Sequence, residues 1–262
     1  MHGWPRLIPT FNAHHPRTVT FIQLLNKLLR PTGVQICKKS KYRAVFGLDW
    51  IDDAADILKA RGITPRIIMD VGANRGQTSK RLARGFPQAE VHCYEPTPAS
   101  CEVLQRNLEK FPHAKAHALA FGPEKKMARF FLRAHHETNS FLQLEEPEAG
   151  SSPDSFIDVE MQCLDDYVPR QGWSDVHVLK INAEGYDLAI LKGGSKLLKE
   201  GKIHLIFTEM NFKQLYQGQG GFTELHDFLG QLGYTLVGCY ETASTASGES
   251  LWSNGLYVKA AG

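Results

Sequence analysis

From Arg66 onward, short apolar runs alternate with helix-length stretches, and this rhythm constrains the fold more than any other feature of the chain. Residues 66–71 form a β-branched, apolar run, followed by a glycine loop and a helix-like stretch over 77–84. Residues 89–95 read as a second strand. Pro98 suits the first turn of a helix running to about residue 110, and 114–120 reads as a third strand. The rhythm then breaks. Residues 126–133 and 156–164 are strand-like and are joined by a polar stretch holding Glu145, Glu146, Pro147 and Pro153, as in an inserted hairpin with an exposed connection. It resumes with a strand at 176–182, a helix at 186–199 and a strand at 203–209. A helix at 223–232 capped by Thr223 follows, then two closing strands at 234–239 and 255–259. Strand and helix in alternation imply an α/β fold, a Rossmann-like and mostly parallel sheet covered on both faces. Ligands of such sheets bind beyond the carboxyl ends of the strands. That rule selects Asp70–Gly76, Glu95, Leu119–Gly122, Asn182–Tyr186 and Glu209.

Composition excludes some classes. The 262 residues carry 30 Lys+Arg against 28 Asp+Glu, a net charge of +2 that gives no broad basic surface for nucleic acid. No apolar run approaches the ~20 residues of a membrane span. Residues 1–16 lack the apolar core of a secretory leader, and the weakly amphipathic stretch 20–30 reads as a surface helix. The five cysteines (Cys37, Cys93, Cys101, Cys163 and Cys239) show no C-x-x-C spacing. They are expected to be buried and reduced, in a cytoplasmic protein. A homo-oligomer is compatible with all of this.

The sharpest motif is Asp70-Val71-Gly72-Ala73-Asn74-Arg75-Gly76-Gln77-Thr78, between the first strand and its helix. Its glycines let backbone pass close to a ligand, and the helix start offers free N–H groups. Glu95 ends the next strand, where a carboxylate can take both hydroxyls of a ribose. The spacing is G-x-x-x-G rather than G-x-G-x-x-G, and no lysine follows to hold a phosphate, so a P-loop is excluded. A ribose acid without phosphate machinery suits S-adenosylmethionine. Arg75 and Lys80 read chiefly as helix-surface charge, with the methionine carboxylate as a second use.

Together with Tyr94-Glu95-Pro96-Thr97-Pro98, Asn107, Ala118-Leu119-Ala120 and Leu179-Lys180-Ile181-Asn182-Ala183-Glu184-Gly185-Tyr186-Asp187, this loop resembles the FkbM family of class I methyltransferases. The resemblance spans roughly residues 67–259. It implies a seven-stranded sheet whose last strand is antiparallel. It implies S-adenosylmethionine held by Asp70, Gly72, Ala73, Asn74, Gly76, Thr78, Glu95 and Pro96, with Leu119 and Ala120 beside the adenine and Asn182 nearby. Residues 61–262 are then the methyltransferase domain. Residues 1–60 form a helical extension, whose amphipathic stretch 49–59 either covers the site or simply packs.

Lys180, Asn182, Glu184 and Asp187 gather at the end of the fourth strand of the rhythm. The family pattern there reads K-I-D-x-E-G, and this chain has Asn182 where the acid belongs. Asparagine neither takes a proton nor serves as a carboxylate metal ligand, so no metal is expected and Asn182 is no base. Glu184 is the first candidate base and Glu209 the second. Lys180 is expected either to steer an anion or alkoxide or to form an ion pair with Glu184. His135 and His136, in the insertion, are expected either to be solvated or to fold over the site. The resemblance implies O-methylation of a hydroxyl on a small molecule or glycan, in a biosynthetic setting. Two alternatives stand beside it: a binder of the cofactor without turnover, and an N-methyltransferase of a macromolecule.

Overall fold

A computed structural model describes residues 25, 27–29, 47–133, 135–146 and 155–260. Of the stretch 20–30, Leu25 and Lys27–Leu29 are described, and they are helical. The remainder of the extension up to residue 46, with Cys37, lies outside the described residues. The chain divides at residues 45/46, so the larger compact unit already includes the helix at 50–60.

That unit runs α1 (Trp50–Ala60), β1 (Ile67–Val71), α2 (Gln77–Gly85), β2 (Glu90–Tyr94), α3 (Pro98–Leu108), β3 (Ala114–His117), β4 (Ala120–Phe121), β5 (Lys126–Leu132), β6 (Ser155–Gln162), α4 (Leu164–Arg170), β7 (Val176–Ile181), α5 (Asp187–Lys192), α6 (Ser195–Lys199), β8 (Ile203–Asn211), α7 (Phe222–Gln231), β9 (Tyr234–Ser244) and β10 (Ser250–Lys259). Seven strands make the main sheet in the order β3-β2-β1-β7-β8-β10-β9. All neighbours are parallel except β10, which runs antiparallel to both β8 and β9. The α/β expectation with an antiparallel last strand is met.

Alternation along the central strands sends residues to two cores. On one face Ile68, Val91, Val178, Leu205 and Leu256 pack with α1, α2 and α3. On the other, Met69, Val71, Leu179, Ile181 and Ile206 pack with α4, α5, α6 and α7. Helix α1 is capped by Asp49, which accepts from the Ile51 N–H at 2.9 Å, and its buried side carries Trp50, Ile51, Ala54 and Leu58. Trp50 stacks on Phe207 of β8 at 4.0 Å between ring centroids. Helix α1 is therefore a packing helix of the domain rather than a cover over the site.

Five other expectations are corrected. The third strand splits at Ala118–Leu119, and Ala120–Phe121 pairs in parallel with β6 instead. The insertion is thus a three-stranded sheet, β4-β6-β5, rather than a lone hairpin. The helix at 186–199 breaks at Gly193–Gly194, and Gly193 lies against the Gly122 carbonyl, where a Cβ would approach to 2.1 Å. The N-cap of α7 is Gly221 rather than Thr223. Among the four described cysteines, all free, Cys93 alone is buried and Cys239 is exposed.

Candidate active site

Strands β1 and β7 are parallel neighbours whose register sets Asp70 beside Lys180. The Lys180 ammonium lies 2.8 Å from Asp70 Oδ1, and both side chains are almost wholly buried. The same ammonium donates to the Gly72 carbonyl at 2.9 Å, and Ser79 Oγ donates to the other Asp70 oxygen at 2.6 Å. Burial of both charges demands this dense pairing. Lys180 is therefore a brace for the glycine loop, and its partner is Asp70 rather than Glu184.

The loop itself is built by close approach. Gly72 has φ +72, and a Cβ there would stand 1.9 Å from the Asn182 carbonyl oxygen. The Asn182 N–H donates to the Val71 carbonyl at 3.1 Å, tying the two strand ends together. Asn74 also takes positive φ, +48. Its N–H donates to Glu95 Oε2 at 3.0 Å, while the Thr97 N–H donates to Glu95 Oε1 at 2.9 Å, joined by the Thr97 hydroxyl. Asn107 of α3 donates to the Arg75 carbonyl at 2.8 Å and steadies the loop from behind.

Below the loop lies a cavity of about 390 Å³. It is lined by Gly72, Ala73, Asn74, Thr78, Glu95, Pro96, Leu119, Ala120, Lys180, Asn182 and Glu184, all named from sequence. Asp70 and Gly76 shape the loop without lining the cavity, and neither Glu209, Arg75 nor Lys80 reaches it. Gln77 of the motif also lines it, as do Asn139 and Phe141 of the segment after the histidines, while Phe130, Glu137 and Ile190 carry no sequence signal. Most of these belong to the insertion, whose polar stretches carry no motif. His136 reaches the cavity, 3.3 Å from the Asn74 amide, while His135 is exposed.

Two buried acceptor atoms at this cavity, Asn74 Oδ1 and Asn182 Oδ1, receive no hydrogen bond from the protein. Orphaned acceptors at a polar cavity call for donors on a ligand. S-adenosylmethionine carries donors of that kind in its ribose hydroxyls and ammonium group. The residues present therefore fit it. Asn74, Glu95 and Asn182 would hold its polar groups, and Leu119, Ala120 and Ile190 supply apolar surface.

Beyond these loop and strand-end residues three acids converge. Asp187 is buried and accepts from the Ala183 N–H at 3.0 Å, Thr208 Oγ1 at 3.0 Å and the Glu209 N–H at 3.2 Å. It is a turn-former, fully engaged. Glu184 has φ +51 and lines the cavity, and its Oε2 accepts from Tyr216 at 2.7 Å. Burial, reinforced by the Asp187 charge, pushes Glu184 up to about 7. Burial beside Asp187 and Glu184 pushes Glu209 up to about 8. Among the described residues no group of three or more His, Cys, Asp or Glu is arranged to hold a metal ion.

The strand order, with the glycine loop at the end of β1 and the acid at the end of β2, defines a class I methyltransferase. The Methyltransferase FkbM domain matches residues 70–236, and the chain belongs to that family. Its methyl donor is S-adenosylmethionine. The 2-O-methyltransferase NoeI of Sinorhizobium fredii is 23% identical over 178 residues, covering 62% of this chain and 70% of that protein. Methyltransferase sdnD of Sordaria araneosa is 28% identical over 48% of this chain, and Methyltransferase 1 of Beauveria bassiana is 27% identical over 48%. The matches span 59% and 57% of those two relatives' own lengths. No helix among the described residues is long and apolar enough to cross a membrane.

Proposed function

We propose that the protein transfers a methyl group to a hydroxyl of a small molecule or glycan, with Glu184 as the base. The carrying observation is Glu184 itself, a carboxylate that lines the cofactor cavity and titrates near neutrality, where a general base works best. The name of NoeI as a 2-O-methyltransferase agrees with a hydroxyl acceptor. When bound, S-adenosylmethionine would supply an electrophilic methyl on a sulfonium, with S-adenosylhomocysteine as the leaving group. Glu184 takes the hydroxyl proton through the carboxylate oxygen that Tyr216 leaves free. Phe130 and Phe141 give the cavity apolar surface beside Asn139. Lys180 and Asp70 hold the loop and take no proton. Glu209 lies off the cavity, so it is set aside as a base. The setting that fits is cytoplasmic, with a small-molecule or glycan partner and no nucleic acid.

Asn182 favours a second reading, cofactor binding without turnover. A panel of hydroxylated acceptors with labelled cofactor separates the two. The expected result is a labelled methyl ether from wild type and none from Glu184→Gln, with S-adenosylhomocysteine binding retained in both. Binding without transfer to any acceptor would favour the second reading. Label in bulk RNA or protein would instead favour a macromolecular acceptor.

A further inference from the structure

We propose that Tyr216 is a positioning residue, fixing Glu184 by a hydrogen bond to one carboxylate oxygen so that the other faces the acceptor. This rests on Glu184 being the base.

Tyr216 lies in the segment between β8 and α7, outside every motif of the glycine loop and strand ends. It is nevertheless 4% exposed, and its hydroxyl stands 2.7 Å from Glu184 Oε2. Three features hold the ring there. Gln219 Oε1 accepts from both the Leu215 and Tyr216 N–H groups, at 3.0 and 2.9 Å, closing the turn. Gly185 has φ +83, and a Cβ on it would meet the Tyr216 ring at 2.9 Å, so the ring sits flush on the turn that carries Glu184. Arg133 of the insertion stands over the same ring, 5.4 Å from its centroid.

The insertion is fastened to this segment too. Leu144 and Tyr216 form a β-bridge, and the Glu145 N–H donates to the Leu215 carbonyl at 2.9 Å. Ser140 Oγ donates to the Glu184 carbonyl at 2.7 Å. Glu184 is thus gripped by its backbone from the insertion and by its side chain from Tyr216.

The other charged groups around Glu184 do different work. Lys180 of β7 is committed to Asp70 and Gly72, and Asp187 of α5 is filled by three donors. By charge, Asp187 raises Glu184 while Lys180 and Arg133 of the insertion lower it, and Glu184 in turn raises Glu209 of β8. Tyr216 donates directly to the Glu184 carboxylate. A phenol donor there favours the carboxylate form and fixes its rotamer.

The test uses the full chain and needs no acceptor. Side-chain carboxyl carbons are followed by 13C NMR against pH, with Glu184 assigned through Glu184→Gln. In Tyr216→Phe the Glu184 midpoint should rise by about one to two pH units, the equivalent of one hydrogen bond to a charged group. Site-specific 3-fluorotyrosine at position 216, a stronger donor of nearly the same shape, should lower it. S-adenosylhomocysteine affinity should stay unchanged in both. A folded Tyr216→Phe protein with an unmoved midpoint would overturn the proposal. If that variant does not fold, an unmoved midpoint in the fluorotyrosine protein would do the same. Midpoints that move as expected, in a protein that methylates no hydroxyl, would sink the proposed function and leave the Tyr216–Glu184 coupling standing.

Discussion

Asp70 and Lys180 form a buried ion pair between adjacent parallel strands, 2.8 Å apart, and the same lysine also holds the Gly72 carbonyl. One side chain thereby couples the end of β7 to the cofactor loop after β1.

Lys180→Met should strand the Asp70 charge in the core. Breaking a buried pair from one side costs about 3–5 kcal/mol. Urea denaturation should show that loss. The double variant Lys180→Met/Asp70→Leu should lose less than the two single changes summed. Additive losses would mean that the pair is not coupled.

Gly72→Ala tests the approach of the loop to Asn182. A Cβ there lies 1.9 Å from a backbone oxygen that has no flexible end to give way. Calorimetric titration should show S-adenosylhomocysteine binding lost or weakened by well over about tenfold, the equivalent of 1.4 kcal/mol. Gly62→Ala, also at positive φ but with open space around it, should cost only about 1–2 kcal/mol of stability and no affinity.

His92 contributes to acid sensitivity. Burial lowers it from 6.5 to about 4, with the neighbouring His117 and Lys115 charges adding to the shift. Between those values the unfolded chain binds a proton that the folded one refuses. Its contribution is therefore present above pH 6.5 and lost as pH falls toward 4. Melting curves of wild type should drop over that window by on the order of 2 kcal/mol more than those of His92→Gln. Parallel curves would rule this out.

Glu209 acts in the opposite sense. Its folded value of about 8 exceeds its ordinary 4.5, so its favourable contribution is present below pH 4.5 and lost as pH rises to 8. Glu209→Gln should gain several degrees in Tm relative to wild type at pH 8.5 and little at pH 4.5. Its S-adenosylhomocysteine affinity should not change, since Glu209 does not line the cavity. A Tm difference independent of pH would show that charging of Glu209 costs nothing.

The central strands were legible because their apolar runs are buried on both faces, as in Val176–Ile181, where every residue is buried. The glycine loop and the Glu95 strand end were legible because positive-φ glycines and strand-end acids leave marks in one short stretch. Partnerships were less readable. Nothing local in Lys180 says whether it faces Asp70 or Glu184, since the β1–β7 register decides it. Helix α4 went unseen because it is seven residues long, contains Pro169 and follows β6 almost without a break. Tyr216 went unseen because only the folding of its segment onto Gly185 gives its hydroxyl a partner. Asn139 and Phe141 sit in a polar turn whose composition resembles that of any surface loop, and Phe130 sits on β5 of the insertion.

Strand β10 lies between β8 and β9, although it follows both in the chain. On a ribosome, β9 therefore emerges before the strand that must join it to the sheet. Until Lys259 is free of the exit tunnel, the open edge of β8 faces water along its whole length, ready to pair with a neighbouring nascent chain. Completion of the sheet therefore waits on the strand that comes after both of its neighbours in the chain.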